Sequence, residues 1–130
     1  MSDFNTYQVG KFGENQCAKY VKKVKNFKVL DRNVTIGKLE VDIIAFNKDY
    51  LIFIEVKTRR TDKNNFWRPA DAVNKEKQSN LINFLNIYCN SLPKKLRNKT
   101  PRIDVCEVLV TAEKKLKLQS IHYIENAVSR

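Results

Sequence analysis

Two runs of β-branched and aromatic residues, joined by a short polar segment, dominate the pattern of hydrophobic positions along the chain. The runs span residues 40–46 and 51–59, and the residues between them are Asn47, Lys48, Asp49 and Tyr50. Asn and Asp are typical of turns, so the pattern predicts a β-hairpin with Lys48 and Asp49 at its centre.

The two faces of this hairpin differ, because side chains alternate between the faces of a strand. One face is apolar throughout and carries Val41, Ile43, Ala45, Ile52, Ile54 and Val56. At the far end of the other face, the predicted register sets Asp42 opposite Glu55 and Glu40 opposite Lys57. Facing carboxylates about 5 Å apart repel each other, so they need either solvent or a bound cation. A divalent metal is the functional interpretation, and exposed charges at a strand end are the alternative.

Hydrophobic periodicity also predicts the remaining elements. Residues 9–24 have an apolar stripe at helical spacing, in which we expect Gly10 and Gly13 to be required for close packing. A second helix is predicted over residues 70–90. The other predicted strands are residues 27–34, 102–111 and 116–124.

The predicted order of elements is αβββαββ, in a single domain that spans residues 1–130. A strand, a crossing helix and a further strand in one sheet form a right-handed connection between parallel strands. We therefore predict an α/β fold with a mixed central sheet flanked by helices, in which the third and fourth strands are parallel.

The charge of the chain narrows the class of partner. There are 25 Lys and Arg against 14 Asp and Glu, which gives a net charge of +11. Such a surplus favours a polyanion, since each neutralised phosphate releases counterions, although solubility alone is an alternative. No apolar run is long enough to span a bilayer and the N-terminus does not have the pattern of a signal peptide, so we expect a cytoplasmic protein without membrane contact.

Cysteine and histidine offer little support for a hydrolase with a nucleophilic side chain. The three cysteines, Cys17, Cys89 and Cys106, lie far apart in the sequence and are expected to be free thiols. The single histidine, His122, falls in a segment that alternates like a strand. We interpret these residues as structural.

Several segments of the sequence resemble known families. Asp42, followed after the hairpin by Glu55-x-Lys57, is similar to the PD-(D/E)xK signature of the restriction-endonuclease-like nucleases. More of the chain resembles the small YraN-like family of bacterial proteins, except that Leu39 stands where that family usually has Gly. The matching segments are Gly10-x-x-Gly13-Glu14, Arg32-Asn33, Glu40-Val41-Asp42-Ile43-Ile44-Ala45, Glu55-Val56-Lys57-x-Arg59, Val73-x-x-x-Lys77-Gln78, Pro101-Arg102-Ile103-Asp104-Val105 and Ile121-x-x-Ile124-x-Asn126-Ala127.

The resemblance implies a restriction-endonuclease-like fold and metal-dependent hydrolysis of phosphodiester bonds. The expected substrate is nucleic acid, with DNA favoured, as in repair, recombination or other DNA processing. Asp42 and Glu55, together with Glu40 and the Val56 carbonyl, would hold Mg²⁺ or Mn²⁺, which are hard cations that prefer oxygen ligands.

Further residues complete the expected site. Lys57 would orient the attacking water or stabilise charge on the phosphate, and the resemblance adds Glu14 and Lys77 to the catalytic set. Basic side chains that follow the third predicted strand are placed to contact phosphates. The expected nucleic-acid contacts are Arg59, Arg60, Lys63, Arg68 and Gln78.

Two other functions are compatible with the same residues. A nucleic-acid-binding module could keep this fold without cleaving its ligand, since fold does not determine function. A protein-assembly factor is a third hypothesis, and the positive charge makes it the least favoured. The sequence leaves open whether the protein acts as a homodimer that cuts both strands.

Overall fold

A computed structural model describes residues 4–61 and 75–127 of the chain; within those ranges it does not describe the side chains of residues 36, 75–78 and 81. The helices are α1 (Thr6–Lys23), α2 (Lys75–Asn90) and the short α3 (Lys94–Arg97). The strands are β1 (Lys28–Ile36), β2 (Leu39–Phe46), β3 (Tyr50–Arg60), β4 (Thr100–Ala112) and β5 (Leu116–Ile124).

The predicted α/β architecture and the order of its elements are confirmed, with α3 as an additional element before β4. The five strands form one sheet in the order β1-β2-β3-β4-β5. β3 and β4 pair in parallel, as predicted, and the neighbouring pairs are antiparallel. The β3–β4 ladder runs from Tyr50↔Thr100 to Arg60↔Val110 without a register shift, so it forms the regular centre of the sheet.

The first helix begins three residues earlier than its hydrophobic stripe predicted, because Asn5 caps it. Asn5 Oδ1 accepts a hydrogen bond from Gln8 N at 2.8 Å, and Gln8 Oε1 accepts one from Asn5 N at 2.9 Å. This reciprocal capping box satisfies two backbone donors at the exposed helix end. The first turns of α1 are thereby held in place beside the end of β3, where they line a cleft.

The sheet separates two hydrophobic clusters. Beneath α1, Val9, Cys17 and Val21 pack with Ile43, Ile54 and their apolar neighbours. On the opposite face α2 supplies Phe84, Leu85 and Tyr88. We expected Val41 on the same face as Ile43, which is wrong, because Val41 packs in the α2 cluster.

The physical reason for that correction lies in β1. Arg32 pairs with Ile43 and Val34 with Val41, so Asn33 lies across from Asp42. Asn33 has φ 52°, a left-handed conformation that interrupts the pleat of the strand. The alternation of side chains in β1 is interrupted at Asn33, and across from it Val41 and Ile43 of β2 pack on opposite faces of the sheet.

One glycine of α1 is required by packing. A Cβ at Gly13 would overlap the side chain of Thr58 on β3, whereas a Cβ at Gly10 would meet no atom within 4 Å among the described residues. The expectation that packing requires Gly10 is therefore wrong. The close approach at Gly13 lays α1 directly on β3, one residue after Lys57.

Candidate active site at the separation of β2 and β3

The predicted hairpin register is correct near the turn. Asn47 N donates to Tyr50 O at 3.1 Å, which makes Lys48 and Asp49 the central residues, and Ile43 is paired with Ile54. The ladder then ends, although β2 continues to Leu39 alongside β1. The predicted pairs of Asp42 with Glu55 and of Glu40 with Lys57 therefore do not form as ladder pairs.

A side chain occupies the place of the next ladder bond. Val56 N donates to Asp42 Oδ2 at 2.8 Å. In a continued ladder this N–H would bind a main-chain carbonyl of β2, so the carboxylate of Asp42 substitutes for it. Asp42 is thus held against β3 at the residue that lies between Glu55 and Lys57.

The four charged residues of the predicted cluster do not converge on one face. Ile54 and Val56 pack on the α1 side of β3, so Glu55 and Lys57 project to the α2 side. Glu40 is exposed, has Thr35 of β1 as its strand partner, and lies in a cleft on the α1 side. Of the predicted set, the structure brings together Asp42 and the Glu55-Val56-Lys57 segment, and it separates Glu40 from Lys57.

Glu14 faces the α1 side of this region. Its side chain is 17% exposed, and its Oε1 lies 3.9 Å from both Arg32 Nη2 and Lys11 Nζ. With the Asn33 amide oriented to satisfy its neighbours, Asn33 Nδ2 donates to Glu14 Oε1 at 2.9 Å and Lys11 Nζ donates to Asn33 Oδ1 at 3.1 Å. Glu14 is therefore neutralised by cations and fixed by the left-handed Asn33.

Two adjoining clefts meet at Glu14. One of about 560 Å³ runs toward β3, where Val56, Thr58, Arg59 and Arg60 line it. The other, of about 540 Å³, runs toward β1 and β2 and includes Asn33 and Glu40. The two clefts share Thr6, Gly10 and Glu14 as lining residues, and we call them together the groove; Arg59 and Arg60 line the first cleft and Glu40 the second.

The predicted nucleic-acid contacts are only partly described. Arg59 and Arg60 line the groove, and Arg60 Nη1 donates to Phe4 O at 3.4 Å. Lys63 and Arg68 lie outside the described residues, as do the side chains of Lys77 and Gln78 in α2. Their predicted roles stay predictions.

The charge of Asp42 affects the pKa of a thiol on the α1 side of the sheet. The pKa of the buried Cys17 thiol is raised, because Cys106 hydrogen bonds with it, because it is desolvated, and because the negative charges of Cys106 and Asp42 oppose its ionisation. Arg32 acts in the opposite direction. Asp42 therefore contributes to the electrostatics of the α1 side as well as binding the backbone of β3.

These residues fit a cation that takes only part of its coordination from the protein. Within residues 4–61 and 75–127, no three acidic, histidine or cysteine side chains lie close enough to hold a metal together. However, Mg²⁺ commonly binds one or two carboxylates and completes its shell with water and substrate phosphate. Of the expected ligands, the Val56 carbonyl points toward the same strand as the Val56 N–H that binds Asp42, since N–H and C=O of one strand residue point to the same neighbouring strand.

Sequence reasoning missed the residues that surround Glu14. Arg32 and Asn33 were part of a recognised segment but had no assigned role. Among residues other than glycine, Asn is one of the types that most readily adopt the left-handed conformation, which was the available signal. Glu107, a buried carboxylate on β4, was also missed, because its burial follows from tertiary packing.

Comparison with known proteins places the chain in a family. The model of the Uncharacterised protein family UPF0102 matches residues 13–108, which include Glu14, Asp42, Glu55 and Lys57. The chain belongs to this family. The resemblance to YraN-like proteins is thereby confirmed.

UPF0102 relatives match the chain nearly end to end. A UPF0102 protein of Caldanaerobacter subterraneus subsp. tengcongensis is 35% identical over 127 residues, which cover 98% of this chain and 99% of that protein. One from Dictyoglomus thermophilum is 37% identical over 123 residues, with 95% and 98% covered. One from Clostridium acetobutylicum is 37% identical over 120 residues, with 92% and 93% covered.

A membrane span was not expected from the sequence. None of the helices in the described ranges combines the length and the apolar character needed to cross a bilayer.

Proposed function

We propose that this UPF0102 protein is a metal-dependent nuclease that hydrolyses phosphodiester bonds of nucleic acid, with DNA as its substrate. The observation that supports the proposal is the 2.8 Å hydrogen bond from Val56 N to Asp42 Oδ2. It holds a carboxylate of β2 at the Glu55-Val56-Lys57 segment, which is the combination that the PD-(D/E)xK signature requires. The restriction-endonuclease-like fold belongs to the same proposal, supported by the mixed five-stranded sheet with its parallel β3–β4 pair.

Asp42 and each residue of the Glu55-Val56-Lys57 segment have a chemical role in this proposal. Asp42, Glu55 and the Val56 carbonyl would hold Mg²⁺ or Mn²⁺, which when bound polarises the scissile phosphate and lowers the pKa of the attacking water. Lys57 places an ammonium beside the phosphate and stabilises the negative charge that develops there. Glu40 is left out of this ligand set, because it lies in a cleft on the α1 side whereas Glu55 projects to the α2 side.

The groove borders the site at Val56 and would hold a neighbouring part of the nucleic acid on the α1 side, opposite to the face on which Glu55 and Lys57 project. Arg59 and Arg60 contact phosphates at one end of it, and Glu14 faces its middle. Contacts from Lys63, Arg68 and Gln78, and a catalytic contribution from Lys77, complete the proposal as the sequence predicted it. The net charge of +11 favours association with the polyanion over other partners.

A cleavage assay tests the nuclease directly. Labelled single-stranded, duplex and branched DNA are incubated with the protein, with and without Mn²⁺, and products are separated on gels. We expect cleavage that requires Mn²⁺ and falls about 100-fold or more in Asp42→Asn and in Lys57→Ala. Asp49→Asn is the matched control, because Asp49 is an exposed carboxylate at the hairpin turn. Equal cleavage by Asp42→Asn and the wild-type protein would contradict the assignment.

A nucleic-acid-binding module without catalysis is the second candidate. It is favoured by the lack of a three-ligand group among the described acidic residues, which leaves any metal dependent on a bound phosphate. This candidate predicts affinity for DNA that falls steeply with salt, while no substrate is cleaved with Mn²⁺ or Mg²⁺. Binding measured by fluorescence anisotropy across salt concentrations, beside the cleavage assay, separates the two.

A further inference from the structure

Glu107 is a buried carboxylate for which the proposed mechanism has no role. Together with Asp104 it makes up the buried charged residues of the described part of the chain, with 6% of Glu107 exposed. Its Oε1 lies 3.1 Å from His122 Nδ1. Its Oε2 is buried without a hydrogen-bond partner in the described structure. Removing a carboxylate oxygen from water without a partner is costly, so this oxygen calls for a donor.

Asp104, three residues earlier on β4, is a buried carboxylate whose two oxygens both accept hydrogen bonds. Arg102 Nε and Nη2 each donate to it at 3.0 Å, Tyr123 Oη donates at 2.6 Å and Asn126 N at 2.8 Å. Both oxygens of Asp104 are therefore saturated by a structural network. Glu107 is equally buried but half satisfied, and buried polar groups of that kind are rare in folded proteins.

The sheet sets a lysine directly beside this carboxylate. Glu107 has Lys57 of β3 as its strand partner on one side and His122 of β5 on the other. Paired positions in a regular ladder project to the same face, so the three side chains form a row across β3, β4 and β5. The row lies on the α2 side, opposite to Cys106 and Val108, which pack beneath α1.

His122 lies at the exposed end of the row. The side chain of His122 is 69% exposed and that of Glu107 only 7%. The 3.1 Å contact between His122 Nδ1 and Glu107 Oε1 is a hydrogen bond whose donor depends on the tautomer of the histidine. His122 thereby holds Oε1 toward β5 and leaves Oε2 for a donor from the β3 side.

We propose that Glu107 is the positioning residue for Lys57: Oε2, which has no hydrogen-bond partner in the described structure, is the acceptor available to the Lys57 ammonium, and His122 holds Oε1. This inference rests on the proposed function, because it assigns Lys57 to the scissile phosphate. Lysine has a flexible four-carbon stem, and an ammonium at the end of such a stem is not placed by the strand alone. A fixed carboxylate acceptor gives the ammonium of Lys57 one location. Small displacements of catalytic groups lower the reaction rate strongly.

The first test separates positioning from binding. Glu107→Gln keeps the shape of the side chain and removes the charge that holds the ammonium. We expect kcat for Mn²⁺-dependent cleavage to fall about 10- to 100-fold, with KM within about twofold of wild type. His122→Asn changes an exposed side chain and serves as a second, folded variant, with a smaller loss of kcat and the same unchanged KM. Wild-type kcat in Glu107→Gln would overturn the proposal.

The second test does not need activity. Thermal unfolding is measured for Lys57→Met, Glu107→Gln and the double variant, and the same is done with Lys117→Met in place of Lys57→Met. Lys117 lies on β5 and has Thr111 as its partner, so it controls for the loss of any lysine. We expect the Tm loss of the Lys57 and Glu107 double variant to be smaller than the sum of the single losses, and the Lys117 losses to be additive.

The two tests distinguish a failure of the proposed nuclease function from a failure of the proposed role of Glu107. If the wild-type protein cleaves no substrate, the proposed function fails, and the Tm comparison alone decides whether Lys57 and Glu107 interact. Additive Tm losses for Lys57 and Glu107 would overturn the positioning role even in an active enzyme.

Discussion

The carboxylate of Asp42 accepts the backbone N–H of Val56 at 2.8 Å, at the point where the ladder between β2 and β3 has ended. This single contact does two things. It satisfies a donor that would otherwise have lost its strand partner, and it anchors an acidic side chain between Glu55 and Lys57. The candidate site thus depends on the separation of two strands rather than on their pairing.

Replacing Asp42 by Ala tests the structural half of that contact. The variant leaves the half-buried Val56 N–H without its charged acceptor, so we expect a loss of about 1 to 2 kcal/mol in unfolding free energy. The measurement is urea unfolding followed by circular dichroism. Asp49→Ala, in the exposed turn, should stay within about 0.5 kcal/mol of wild type. An Asp42→Ala protein as stable as wild type would show that water replaces the carboxylate at no cost.

The two glycines of α1 should respond in opposite directions. Gly13→Ala forces its Cβ into Thr58, and overpacking of this kind costs about 1 to 3 kcal/mol. Gly10→Ala has open space at its Cβ and gains helix propensity, so we expect up to about 1 kcal/mol of added stability. Urea unfolding measures both. The double variant Gly13→Ala with Thr58→Ala should recover part of the loss, and no recovery would mean that the strain lies elsewhere.

The Asp104 network predicts a large loss of stability on removal of its charge. Asp104→Asn leaves the guanidinium of Arg102 buried without its partner and costs about 3 to 5 kcal/mol. The control is Glu125→Gln, because Glu125 pairs with Lys25 at the surface, where such pairs contribute about 1 kcal/mol or less. Denaturant midpoints compare the two. A loss in Asp104→Asn no greater than in the control would contradict the network's structural role.

The same network is expected to make the folded protein less stable at high pH. Burial, the charge of Asp104 and the hydrogen bond to it raise the pKa of Tyr123. The pKa of Cys17 is raised as well, chiefly by its hydrogen bond with Cys106 and by burial. The folded protein therefore keeps protons that the unfolded chain releases above about pH 8.5 for Cys and about pH 10 for Tyr.

Linkage then gives the sign of the pH dependence. Stability from these groups is fully present below the unfolded pKa values and is lost as pH rises above them. We expect the urea midpoint to decline from about pH 8.5 upward and more steeply near pH 10. Tyr123→Phe should be less stable at neutral pH but should lose the steep part of the decline. A midpoint that stays constant through that range would contradict the prediction.

Much of the fold follows from local patterns. The bounds of β5, the central turn residues Lys48 and Asp49, and the parallel β3–β4 pair were predicted correctly, because period-two alternation and turn residues specify strands and hairpins locally. The start of α1 was predicted too late, although the Asn5 and Gln8 capping pair was present in the sequence. The residues of the candidate site stay a prediction, and their predicted arrangement differs from the structure, since Glu40 and Lys57 were expected to face each other and do not.

By itself, the amino-acid sequence determined which segments become strands and helices, that the protein carries a surplus of positive charge, and which acidic and basic residues flank the central hairpin. Only the tertiary structure decided on which side of the sheet each of those residues lies. The reason is that a strand's faces alternate strictly only while every residue stays extended: Asn33 of β1 leaves the extended conformation, and across from it Val41 and Ile43 of β2 pack on opposite faces of the sheet. The burial of Glu107 beside Lys57 and His122 likewise depends on which strands become neighbours, a choice made by the packing of the whole sheet.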